Sequence, residues 1–416
     1  MNSKRVAVSL AFVGLLAVLV SMVLWIAREK PVNKQLEIEV ALANLECSCL
    51  LPDGNFIYVG GVDGLFLLDA ATLTIIEEVI IPGGPVLQLV SALYKTPDGA
   101  LWVAHNRGIS VRIDDKWRTF DEEDGLLDLR ANCFCPDTRG GLWAGTWGGA
   151  YYFAETNGDY TLQKSLTMEN GLTDNMIYTI AAVGEDLWYG AYYHTDTPCG
   201  LSILGDGRFS YISVTDGLPH SFITAICPTP SGEVYVGCGF LERGGLAVVR
   251  EREGVFEVSR VYTEKEGLPG PKVRTLYYDS DGRLWVATEN DGILIVLKPN
   301  DNDTTLSGAY AKKENGLPDN EIKQILEYNG HIYLAARVGI ARLPLSAVTR
   351  YCDNGSASEE QPSFAGTGNA LPAARPKRGR VPRWFGLYPK GLPYSKSQKN
   401  AVLRKSAENS RALLYR

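Results

Sequence analysis

The sequence predicts an all-β fold: a seven-bladed β-propeller, with an N-terminal transmembrane helix and a disordered C-terminal tail. Three observations carry the prediction. An apolar strand, an Asp-Gly type turn, an aromatic strand and a Gly-led third strand recur seven times, their aromatics 41 to 50 residues apart. With 43 Gly, 8 Trp and 21 Tyr against 4 Met, the composition is turn-rich and aromatic-rich, which suits strands better than helices. Residues 36–40, just before the first unit, alternate apolar Leu36, Ile38 and Val40 with Glu37 and Glu39 and have no local partner.

In chain order, residues 1–5 form a short basic terminus. Residues 6–27 then run for about 22 positions without a charge, enough at about 1.5 Å per residue to cross a hydrocarbon core of roughly 30 Å. Lys4 and Arg5 precede the run, and the positive-inside bias puts them in the cytoplasm and the rest of the chain outside. The run exceeds the usual signal-peptide core, and Trp25-Ile26-Ala27 is a poor cleavage site, so the expectation is an uncleaved signal anchor in the inner membrane. Residues 28–35 link it to the propeller, residues 36–352.

The seven aromatics are Tyr58, Trp102, Trp143, Trp188, Tyr235, Trp285 and Tyr333. Each is followed by a Gly that opens the next strand, from Gly64 to Gly339, and several are preceded by hairpin signals such as Asp53-Gly54 and Asp281-Gly282. A weaker fourth strand follows, as at 117–120 or 209–212. Four strands per 40–50 residues is the pattern of a propeller blade, in which stacked sheets cover one another and large aromatics fill the wedge. The aromatic series is therefore read as packing. The seventh unit has three strands, and residues 36–40 are expected to supply its fourth, closing the ring without an open edge.

Between units a second phrase recurs: Asp124-Gly125-Leu126, Asn170-Gly171-Leu172, Asp216-Gly217-Leu218, Glu266-Gly267-Leu268 and Asn315-Gly316-Leu317. Together with the Asp279-to-Ile293 stretch, clearest in residues 272–296, it resembles the two-component regulator propeller repeat over nearly all of 36–351. The resemblance implies a propeller of the kind that forms the extracytoplasmic sensor region of bacterial hybrid histidine kinases. Here the apolar segment precedes the propeller, one ring is present and no kinase region is read.

The loop from second to third strand is short in most units but long from Trp188 to Gly200 and from Tyr235 to Gly245, in neighbouring blades four and five. Both loops should rise on the face that also bears the inter-blade loops. They hold Tyr189, Tyr192, Tyr193, His194 and Asp196, and Phe240, Glu242 and Arg243; His220, His105, Arg107 and Trp147 are expected on the same face. Aromatic planes beside charged groups suit flat polar ligands, so this face is the candidate site for a small molecule, glycan or protein. Cys199 and Cys238 fall in the two loops and are candidates for a disulfide. The other early cysteines read as buried packing residues on innermost strands.

No hydrolase, metalloprotease or phosphate-loop motif occurs, and no cofactor or metal is implied. His220 with Glu242 offers one acid/base pair, of the kind a streptogramin-type lyase would use. Residues 353–416 carry about a dozen Lys and Arg past position 375 against one acid, Glu408, and read as disordered. Nothing in the folded part suits nucleic acid. The function expected is a membrane-anchored, extracytoplasmic, sensor-like module that binds at the face of blades four and five; a non-catalytic envelope scaffold or a lyase are the alternatives.

Overall fold

The structure, a computed structural model, describes residues 35–137, 140–192, 200–299 and 303–353. The apolar segment 6–27 and the basic tail from 354 lie outside these residues. No helix among the described residues is long and apolar enough to cross a membrane.

Seven four-stranded antiparallel sheets stand in sequence order, each running from an innermost to an outermost strand. Blades one to six span 47–78, 92–120, 131–166, 177–213, 223–262 and 273–311. Blade seven takes three strands from 322–344 and its outer strand from Glu39–Ala41, with Glu39 opposite Arg342 and Ala41 opposite Ile340. Around that seam Leu36 N–H donates to Asn315 O (2.8 Å), Arg350 pairs with Glu37 (2.6 Å) and Arg342 pairs with Glu39. Gly339 opens the third strand here at φ 80°, and a Cβ on it would meet Ala41 O at 2.5 Å. The Gly of the repeat thus permits close approach of the neighbouring strand.

The recurring aromatics fill the wedges between blades. Trp102 packs against Phe153 and Tyr160 of blade three at 5.2 and 4.9 Å, and Trp285 sits with Ile325 and Ile332 of blade seven. Blade six matches the repeat best because Asp279 ties its pieces together. Its buried carboxylate accepts from Arg283 N–H (2.8 Å), Arg283 Nε (2.7 Å) and the indole Nε1 of Trp285 (2.8 Å). In blades two, three and four the corresponding indole N–H of Trp102, Trp143 and Trp188 is buried with no such acceptor.

The inter-blade phrase also has a local cause. In four cases it is a single 3-10 turn closed by Gly at positive φ, 130°, 108°, 105° and 108° for Gly171, Gly217, Gly267 and Gly316. Thr167, Ser213 and Thr263 cap three of these turns, with Asn170, Asp216 and Glu266 reaching back. The following Leu172, Leu218, Leu268 and Leu317 are each buried between blades. A short helix α1 (Leu345–Asp353), not read from the sequence, follows blade seven and buries Val348, Tyr351 and Cys352; the Tyr351 hydroxyl donates to Tyr310 O (2.5 Å).

Several residues expected at the exposed face lie in this core instead. Tyr189 is fully buried and meets Trp143 edge-on at 5.7 Å, because strand alternation turns it into the wedge. His105, 1% exposed, bonds Ser110 Oγ through Nε2 (2.8 Å) and accepts from Arg107 N–H. Burial pushes its pKa down to about 4. Cys238 belongs to the strand Val234–Phe240, not to a loop, and is a buried free thiol; Cys199 lies outside the described residues. The cause is that the long stretch of blade five is a β-hairpin, with Phe240 opposite Arg243 and a two-residue turn at Leu241 and Glu242.

Two outcomes are expected. Asp279→Ala leaves the Trp285 N–H without an acceptor and Arg283 with only the exposed Asp281 carboxylate (2.8 Å) as a charge partner, and should lower unfolding stability by about 2–4 kcal/mol in urea titrations. His105 is held neutral, so its folded pKa lies below the unfolded value. Its contribution is complete above about pH 6.5 and is lost as pH falls towards 4, by about 3 kcal/mol. Unfolding free energies of wild type and His105→Gln should diverge at neutral pH and converge across that window.

Candidate functional site

The site is built by an irregularity repeated around the ring. In six of the seven inner strands the pairing with the second strand skips one residue close to the strand's start: Ser48, Asn132, Tyr178, Thr224, Arg274 and Lys323. Ser91, just before the inner strand of blade two, holds the same place. Such bulges bend the strand and re-aim the extra side chain. Most of these residues tie their blade to the next. Ser91 Oγ donates to Ala131 O (2.5 Å), Asn132 Nδ2 to Ile177 O (2.8 Å) and Thr224 Oγ1 to Val273 O (2.6 Å). Lys323 pairs with Glu46 of blade one.

Two bulged residues do otherwise. Tyr178 of blade four and Arg274 of blade six meet each other past blade five, Arg274 Nη1 donating to the Tyr178 hydroxyl at 2.5 Å. Burial raises the Tyr178 pKa. Burial also works against the charge of Arg274, but Tyr178, Glu321 and Glu289 outweigh it and hold the guanidinium ionised.

A second repeated contact fixes the residues around this pair. The first residue after the second strand donates its N–H to the carbonyl just before the inner strand: Trp147 to Arg130 (3.0 Å), Tyr192 to Met176 (2.8 Å), Glu289 to Lys272 (3.0 Å) and Arg337 to Glu321 (3.1 Å). In blade five Gly239 makes it to Phe222 O (3.0 Å), with Phe240 next along the strand. One rim therefore carries aromatics on blades three to five and charges on blades six and seven. Tyr192 stacks on Tyr178 (4.9 Å, 24°) and contacts Phe222 (4.2 Å). Phe222 also meets His220 (5.0 Å) and Phe240 (4.9 Å). Arg130 lies over the Trp147 ring at 4.0 Å. On the charged side Lys272 pairs with Glu289 (2.7 Å) and Arg337 with Asp319 (3.1 Å). Burial, then the neighbouring Arg274, depresses the Lys272 pKa, while Glu289 opposes the shift.

Of the residues read from the sequence, Tyr192, His220, Phe240 and Trp147 come together on this rim. Arg107, Glu242 and Arg243 are exposed, the last two at the hairpin tip of blade five. Tyr193, His194 and Asp196 lie outside the described residues. No hydrogen bond or ion pair joins His220 to Glu242. His220 Nδ1 accepts from Phe222 N–H (2.9 Å), so the ring proton sits on Nε2 and the Nδ1 lone pair is engaged. Among the described residues no three His, Cys, Asp or Glu side chains converge as a metal set. The buried thiols are far from reactive, burial pushing Cys47, Cys133 and Cys227 up to about 12.

Sequence reading missed Tyr178, Phe222, Lys272, Arg274, Glu289 and Glu321. A signal was present. Each inner strand begins with a buried apolar residue, Ile177, Ile223, Val273 or Ile322, flanked by two positions that change character from unit to unit.

The family described as "Two component regulator propeller" matches residues 267–290, the approach loop and first two strands of blade six. Two extracellular domains of putative hybrid two component systems from B. thetaiotaomicron share the fold, each with a TM-score of 0.56 over 74% of this chain, at 18% and 20% identity. This chain covers 41% and 39% of them, about two-fifths of their length. Virginiamycin B lyase from Staphylococcus aureus superimposes with a TM-score of 0.55 at 11% identity, over 74% of this chain and 99% of the lyase. No curated protein gives a significant sequence match. Residues 267–290 thus resemble the two component regulator propeller repeat, and the described residues form a seven-bladed propeller.

Proposed function

We propose that the protein is a membrane-anchored, extracytoplasmic, sensor-like module that takes a ligand at the channel mouth between blades four and seven. The observation that carries this reading is the Tyr178–Arg274 contact across blade five. It places a stacked aromatic ladder against a buried guanidinium, whereas Ser91, Asn132, Thr224 and Lys323 at the same place merely tie adjacent blades. Aromatic faces beside a few convergent polar groups are what binding sites for small ligands offer. The likeness to extracellular sensor domains agrees with a location outside the cytoplasm, and the charge-free run 6–27 supplies an anchor.

The engaged Nδ1 of His220 and the exposed, separate Glu242 give the lyase reading no support, and the scaffold reading leaves the ladder without a use. Replacing Tyr192 and Phe240 together by Ala removes partly exposed rings without touching the wedges between blades. In a thermal-shift screen of sugars, amino acids and organic acids, at least one compound should raise the melting temperature of the wild type and not of this double variant. A screen in which every stabilising compound acts equally on both proteins would refute binding at this mouth. Alkaline phosphatase fused after residue 352 should be active in a bacterial host and sediment with membranes, and deletion of residues 6–27 should abolish both; an inactive fusion would place the propeller in the cytoplasm.

A further inference from the structure

We propose that Arg274 is the docking point for a ligand carboxylate, with an aromatic ring attached to that carboxylate lying against Tyr178 and Tyr192. This deepens the recognition reading above and rests on it.

The argument begins with an incomplete set of bonds. A guanidinium carries five N–H donors, and a buried one is expected to have most of them met. The side chain of Arg274 is 12% exposed, and its one hydrogen bond is from Nη1 to the Tyr178 hydroxyl. Glu321 approaches Nε only to 3.7 Å, beyond hydrogen-bond distance, so it lends charge without occupying a donor. Arg283, more deeply buried at 5% exposed, has a partner at each nitrogen: Nε bonds Asp279 at 2.7 Å, Nη1 bonds Thr349 at 3.0 Å, and Nη2 has the Asp281 carboxylate at 2.8 Å as its ion-pair partner. Arg274 is held charged in the channel mouth with donors in hand.

The chemistry of the missing partner follows from the surroundings. A planar fork of N–H groups matches a planar carboxylate through two parallel bonds. Lys272 is adjacent but engaged by Glu289 at 2.7 Å, so it adds to the positive field without competing for the ligand. Glu289 and Glu321 stand close enough to resist a doubly charged group, which favours a monocarboxylate over a phosphate. The hydroxyl bond to Arg274 brings the Tyr178 ring beside the docking point, and Tyr192 extends that surface by stacking at 4.9 Å. Both rings are partly exposed, and because their faces are taken by each other, by Arg274 over Tyr178 (5.6 Å) and by Phe222 against Tyr192, a further ring would pack on their edges, a favourable edge-to-face arrangement. Carboxylate and ring must therefore be joined by a short link, as in phenylacetate or 3-phenylpropionate.

The test is calorimetric or ligand-observed NMR titration of the full-length protein with phenylacetate, 3-phenylpropionate, acetate, benzyl alcohol and inorganic phosphate. The two aromatic acids should bind, and the other three should bind at least about tenfold more weakly. Arg274→Lys keeps the charge and loses the fork, and should weaken the aromatic acids about tenfold. Because changes at a buried arginine can disturb folding, Tyr192→Leu serves as a second variant, weakening the aromatic acids while leaving the melting temperature near that of wild type. Failure of both acids to bind, unchanged affinity in Arg274→Lys, or preference for phosphate would overturn the proposal. If the acids fail while another compound still depends on Tyr192 and Phe240, recognition at the mouth stands and carboxylate docking falls. If no compound depends on those rings, both readings fall together.

Discussion

The constraint on which the molecule depends is that a blade has two apolar faces and no other layer to cover them. Each sheet is stable only between two neighbours, so the ring must close before any blade is fully protected. Closure rests on three paired residues, Glu39–Ala41 against Ile340–Arg342, reinforced by the ion pairs at Glu37 and Glu39. Everything in the repeat serves the same end. Indoles and tyrosines fill the wedge, the inter-blade Leu plugs it at the loop end, and glycines let strands approach where a side chain would collide.

Against that regularity, the bulged residues are where the ring can vary. Their side chains leave the sheet at its inner end, so they can change without altering a wedge. Serine, asparagine and threonine there bind adjacent blades together; tyrosine and arginine reach further and close on each other. The division of the rim into aromatic and charged halves follows from which residue occupies this place in each blade, with the bulge itself shared by six of the seven inner strands.

This explains what was legible in the sequence. The blades could be read because packing repeats: Trp102, Trp143, Trp188 and Trp285 do one job at one spacing. The seam could be read because alternation at 36–40 had no other use. The rim was only half legible. Tyr192, His220, Phe240 and Trp147 were found because they are conspicuous residue types near interruptions of the pattern. Tyr178 and Arg274 were hidden because each lies one place from a buried apolar residue in an otherwise ordinary strand, and a bulge leaves no mark in composition. The blade-five hairpin misled in the opposite direction. Its extra length reads as a loop in sequence, whereas Gly239 and Gly244 pair as strand and carry Cys238 into the core. Helix α1 was missed because its apolar face, Val348, Tyr351 and Cys352, is only nine residues of helix beside a sequence otherwise built of strands.

The seam has a further consequence in time. Glu39 and Arg342 are 303 positions apart, the longest separation a chain of this design can impose on a strand pair. At synthesis rates of about 5–20 residues per second, the first strand waits on the order of 15–60 s for its partner. Pairings so distant in sequence are also slow to form once both ends exist. Through that interval residues 36–41 are an unpaired strand, and the glutamates at 37 and 39 then act as guards, keeping it from joining the wrong edge. The two charges that later lock the ring first keep it single.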